Sequence, residues 1–195
     1  MKKILALVAV ALITVSMVCA QKGIAVGGGF GLHMNQSTKF YIDGLKPGGG
    51  WQGSIFGRYY LPSFEPFGVQ VELNLATNGS ADPHYMVYTG LDLPILATYD
   101  LNVWRFTFTF KLGPHFHFAL SELKDGSIPP HKYGKTSGFS LGMGGGVMTT
   151  FNINENHGIG INLNYLHDFI PIKWNDAKIM SRGAIDFGLY YQYKF

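Results

Sequence analysis

The chain has 195 residues, of which 47% are apolar, 15% aromatic and only 14% charged, with 26 Gly and one Cys. Soluble domains usually carry about 25% charged residues, and this composition excludes a charge-rich disordered protein. A net charge of +3 without a Lys/Arg stripe excludes a nucleic-acid partner, and one Cys excludes an internal disulfide or a cysteine zinc site.

At the N-terminus, Lys2 and Lys3 precede an apolar run from Ile4 to Val18 that ends on Val18-Cys19-Ala20. A basic start, a short apolar core and a small residue before the cut describe a cleavable secretory signal over 1–20, leaving a domain over 21–195. Acylation of Cys19 is the competing reading, and the bulk of Val18 speaks against it. Loss of Lys2 and Lys3 lowers the net charge to +1. The expected product is therefore an exported protein.

From Ile24 onward the pattern is alternation with a period of two residues, which marks strands. Runs appear at Ile24–Leu32, Trp51–Leu61, Phe67–Leu75, Tyr85–Ala97, Trp104–Leu112, Phe139–Phe151, Ile159–Tyr165 and Ile185–Phe195. Most of these eight segments have a length suited to tilted membrane-crossing strands, which need about 9–11 residues. Pro62–Pro66, Asp100–Asn102 and Asn152–His157 read as tight turns. Met34–Gly50, Leu120–Thr136 and Asp168–Arg182 read as long loops, with Thr77–His84 intermediate. Alternating short and long connections suit a barrel with short periplasmic turns and longer external loops. Pro94 lacks a ladder donor, so a bulge is expected there. The glycine run Gly142–Gly146 lacks the Lys-Ser/Thr of a phosphate loop and reads as strand.

Alternation does not say which face is outside. A soluble barrel turns its apolar face inward, whereas a membrane barrel turns it toward lipid. Two features favour the second sense. The charged alternates Arg58, Glu72, Asp92, Arg105, Lys111 and Asp186 are few and of both signs, as suits a polar network filling a narrow lumen. Aromatics such as Trp51, Tyr59, Tyr85, Tyr99, Trp104 and Tyr165 lie near strand ends, where interface girdles belong. The expected fold is all-β: an eight-stranded antiparallel up-and-down transmembrane β-barrel.

The terminal Gly188-Leu189-Tyr190-Tyr191-Gln192-Tyr193-Lys194-Phe195 resembles the β-signal of outer-membrane proteins. The resemblance implies that Tyr191, Tyr193 and Phe195 are read by the barrel-assembly machinery. Leu91–Tyr99 followed by Lys111-Leu112-Gly113-Pro114, and also Leu163-Asn164-Tyr165-Leu166, resemble the porin-family outer-membrane β-barrel domain. His115 stands where that family commonly has Tyr. The resemblance covers 21–195 and implies a barrel of the OmpA/OmpX kind in the outer membrane of a diderm bacterium.

Chemical motifs are thin. His115 and His117 share a strand face at a spacing able to chelate a metal, yet no carboxylate or cysteine stands beside them in the sequence. His167-Asp168 with Ser181 mimics the composition of a hydrolase triad without a matching motif. No catalytic residue, metal or cofactor is expected. The expected role is non-enzymatic: structural, or adhesion and recognition through external loops carrying Tyr41, Lys46, Lys124, His131, Lys132, Tyr133, Trp174 and Lys178. Expected partners are outer-membrane lipid and lipopolysaccharide, the assembly machinery, and an extracellular ligand held by the loops. A narrow pore or carrier for small molecules is the alternative, followed by a lipid-modifying enzyme.

Overall fold

The computed structural model describes residues 23–35, 39–40, 46–64, 66–81, 86–120, 124–125, 136–170, 172–174 and 177–195. The expected leader over 1–20 lies outside them, as do the loop residues Tyr41, His131, Lys132 and Tyr133.

Eight long strands form the body: β1 (Ile24–Asn35), β2 (Lys46–Tyr60), β3 (Phe67–Ala81), β4 (Met86–Val103), β5 (Phe106–Ala119), β6 (Phe139–Asn152), β7 (His157–Asp168) and β8 (Gly183–Lys194). Each pairs antiparallel with its sequence neighbours, and β1 closes the sheet against β8 from Ala25↔Lys194 to Asn35↔Ala184. Closure leaves no free edge on the barrel. Short strands at Lys39–Phe40, Thr136–Ser137, Ile172–Trp174 and Ala177–Ser181 form a second sheet that joins three of the long loops. The sequence pattern assigned these segments to loops, because two to five residues are too few to show a period.

The barrel is inverted relative to a soluble protein. Phe30, Leu32, Ile55, Phe110, Leu112 and Leu189 are exposed on the outer wall. Arg58, Gln70, Glu72, Asp92, Lys111 and Asp186 are buried inside it. This is the sense required when lipid surrounds the strands. Trp51, Tyr59, Tyr99, Trp104 and Tyr165 are exposed as girdle residues should be; Tyr85 lies outside the described residues.

Two local expectations are corrected. The β4–β5 ladder continues through Asn102↔Thr107 to Val103↔Phe106, so the turn is Trp104–Arg105 and not Asp100–Asn102. Trp104 turns the chain with φ of 52°, the left-handed region that two-residue hairpins use. Pro94 produces no bulge. The ladders omit pairs beside it, passing from Val71↔Ile95 to Asn74↔Asp92 and from Pro94↔His115 to Ala97↔Leu112 in constant register. A one-residue slip would turn every later side chain to the wrong face. Losing a few ladder bonds costs less than expelling inward Asp92 into lipid.

Short turns fix one end of the barrel. Asn154 Oδ1 accepts from the backbone amides of Asn156 and His157 at 2.9 and 2.8 Å, an Asx-type closure of the β6–β7 turn. The β2–β3 turn, the Trp104–Arg105 turn and both ends of the sheet, at Ile24 and Lys194, lie at the same end. The longer connections lie at the other.

Candidate functional site: the ion-paired lumen

Eight strands enclose an interior only wide enough for side chains to fill. Alternate inward positions supply those side chains in three levels along the barrel, each built around one cation.

At the turn end, Arg58 on β2 reaches across to β6. Its Nε donates to Gln70 Oε1 at 2.7 Å and Nη1 to Thr109 Oγ1 at 3.0 Å. Nη1 also lies 3.3 Å from both Asp100 oxygens, and Nη2 lies 3.3 Å from Met148 Sδ. Met148 belongs to a small apolar cluster with Phe56 and Tyr190, whose rings meet edge to face at 5.8 Å. Tyr190 and Thr150 share a hydrogen bond between their hydroxyls. Gly29 leaves room for this packing, since a Cβ there would come within 2.9 Å of Tyr190 Cβ.

At mid-height, Lys111 on β5 donates to Glu72 on β3 at 2.7 Å and to Asn162 Oδ1 at 2.9 Å. Gln70 donates to Glu72 Oε1 at 2.6 Å, and Asn74 and Asn164 donate to Oε2 at 3.2 and 3.4 Å. Both carboxylate oxygens are therefore saturated, which a buried charge requires.

At the loop end the central cation is Arg182, immediately before β8. Its guanidinium holds Asp92 on the opposite strand β4 through both terminal nitrogens. Its Nε stands 3.3 Å from Asp168 Oδ2. Each aspartate takes one imidazole: His117 Nδ1 lies 3.0 Å from Asp92, and His115 Nε2 lies 2.6 Å from Asp168. The result is a continuous His115–Asp168–Arg182–Asp92–His117 chain. Beside it, His33 Nδ1 meets Asp186 at 2.6 Å, and the Gln52 amide, with its nitrogen toward Asp186, donates at 3.1 Å.

Of the six charged alternates, Arg58, Glu72, Asp92, Lys111 and Asp186 are inside and buried. Arg105 is corrected. It lies in the turn beyond the last β4–β5 pair, exposed, with Nη2 on the Ile153 carbonyl at 2.7 Å. Arg182 and Asp168 escaped the sequence reading because both were counted into the loop over 168–182. Their phase was the available signal: Asp168 continues the inward series of Asn164 and Leu166, and Arg182 that of Ala184 and Asp186.

Neither catalytic arrangement is assembled. His167 faces outward, stacked on Tyr165 at 6.4 Å, while Asp168 faces inward, so the two cannot act together. Ser181 has no described side chain. Ser140 stands opposite His117 in register, but its hydroxyl donates to the Ile170 carbonyl at 2.6 Å. His115 and His117 bind separate aspartates rather than one point between them. At the strand end, Phe195 donates its backbone amide to Ile24 O at 2.9 Å, Tyr191 hydroxyl lies 2.5 Å from His157 Nδ1, and Tyr193 packs on Phe195 at 4.8 Å.

Residues 5–195 match the family described as outer membrane protein beta-barrel domain. The chain belongs to that family. Among solved structures, Neisserial surface protein A is similar over 89% of this chain and 98% of its own, at 14% identity and a TM-score of 0.60. The outer membrane protein OprG from Pseudomonas aeruginosa gives 90% and 97% coverage, 13% identity and a TM-score of 0.60. A major outer membrane protein from Thermus thermophilus gives 86% and 99%, 14% and 0.52. At these identities the likeness shows the shared barrel fold alone. A search of curated proteins gives no match.

Proposed function

We propose that this family member is a non-enzymatic barrel of a diderm outer membrane, exported by the leader over 1–20, with recognition carried by its external loops. The observation that carries this reading is the cross-braced lumen, in which each of three levels sets a buried cation against a carboxylate from a non-adjacent strand. An interior so filled supports a stable envelope element more readily than a passage. The backbone pairing between loop strands, with Lys173↔Ser137 and Met180↔Phe40, supports a preformed loop-end surface. Its partners on this reading are outer-membrane lipid, lipopolysaccharide and a ligand met by the loops.

Planar-bilayer recording tests it. Purified barrel is expected to give no steady conductance above background; stable single-channel steps would replace this reading with a narrow pore. The assembly role of Tyr191, Tyr193 and Phe195 belongs to the same proposal. Deleting Phe195 is expected to lower the amount of heat-modifiable barrel in outer-membrane fractions, and unchanged assembly would remove that role.

A further inference from the structure

Below the Arg58 level the lumen opens at the turn end into a vestibule of about 490 Å³. Inward Asn102, Thr107, Asn152 and Lys194 line it, together with Arg105 and Glu155 from the turns. Lys194 is half-buried; among the described residues its ammonium has no carboxylate within ion-pair distance and no hydrogen-bond acceptor, although Asp100 of the Arg58 level acts on it electrostatically, and the Tyr60 ring lies 6.0 Å away. Arg105 is held by neutral groups only, with Nη2 and Nε on the carbonyls of Ile153 and Asn152 at 2.7 and 3.3 Å, over the Phe151 ring at 4.9 Å. Glu155 is the vestibule's described carboxylate and forms no ion pair with either cation.

A half-buried ammonium with no carboxylate in ion-pair reach, beside a guanidinium held only by carbonyls, favours an oxyanion. The vestibule volume falls in the range of small-molecule sites, roughly 300–1,000 Å³. We infer that the turn-end vestibule binds a small soluble oxyanion, the carboxylate or phosphate of a molecule entering from the turn side. Lys194 and Arg105 supply charge, and the Nδ2 groups of Asn102 and Asn154, whose Oδ1 atoms are already engaged, supply neutral donors. The Arg58–Asp100 level closes the floor, so the ligand is held rather than passed. A phospholipid headgroup fits less well, because it would meet the outward His157 and Tyr191 rather than these inward groups.

The test is an NMR titration of the barrel in uncharged detergent micelles with inorganic phosphate, and separately acetate, at constant ionic strength. Saturable shifts at the backbone amides of residues 152–154 and Lys194 are expected for at least one anion. Lys194→Gln and Arg105→Gln should each weaken binding about tenfold, or about 1.4 kcal/mol, and Glu155→Gln should strengthen it. Because Lys194 adjoins the strand end, heat-modifiable migration must show that each variant is assembled, and Arg105→Gln tests the site independently of that strand. Linear shifts, or wild-type affinity in both cation variants, would overturn the assignment. Saturation only by a short-chain phosphatidylglycerol, with shifts at His157 and Tyr191, would also overturn it.

Discussion

The two ends of one lumen are built on opposite electrostatic plans. At the loop end, one guanidinium faces three aspartates, Asp92, Asp168 and Asp186, with three imidazoles distributed among them. At the turn end, Arg58 meets Asp100, while Lys194 and Arg105 stand nearer the turns without an ion-pair partner among the described residues. The first end is tied together by charges and the second is left open with charge to spare. Ion pairing is thus concentrated where the long loops are rooted, and the cations left outside any ion pair among the described residues lie where they are not.

The largest effect is expected from Asp92→Ala, which removes the carboxylate shared by Arg182 and His117. Stranding a buried guanidinium costs about 3–5 kcal/mol, measurable as a lower urea midpoint in micelles. A loss below about 1 kcal/mol would mean that the loop end is no more tightly braced than the turn end. At mid-height, Glu72→Leu or Lys111→Met alone should cost about 3 kcal/mol, whereas the double variant should regain most of it. A double-mutant cycle reads the coupling, and simple additivity would show that the two charges stand independently. Tyr190→Phe, which removes the Thr150 hydrogen bond within the lower cluster, should cost about 1 kcal/mol in the same unfolding assay. Arg105→Ala should shift the midpoint by no more than about 1 kcal/mol; a larger loss would make the turn end a structural clamp.

Much of this plan was visible as phase. Inward Glu72, Asp92, Lys111 and Asp186 stand within alternating runs, so a period of two was enough to place them. Arg105 shares the phase of Thr107 and Thr109, yet phase has meaning only while a ladder lasts, and the Trp104 turn ends it one residue away. Arg182 failed in the opposite direction, because the strand-like phase of its neighbours extends past the point where composition turns polar. Pro94 shows a third limit. Its missing donor is local and readable, whereas the pressure to keep register comes from the inward residues on both sides. Partnerships such as Arg182 with Asp92, which are 90 residues apart, depend on which strands face each other across a closed ring. No run of sequence contains that information before closure is known.

The pairing of His33 with Asp186 carries a consequence for how the ring is completed. These residues sit directly opposite on the first and last strands, 153 positions apart along the chain. An open sheet, however well ordered, keeps them at its two far margins. The imidazole therefore acts as a continuity contact for the cylinder, with one environment before the seam shuts and another after it. A single ring resonance followed during refolding would time that event separately from the formation of the other seven strand pairings. Closing so long a circuit is entropically the most demanding step in the sheet, and the chain has placed a buried side-chain hydrogen bond at the point where the circuit is made.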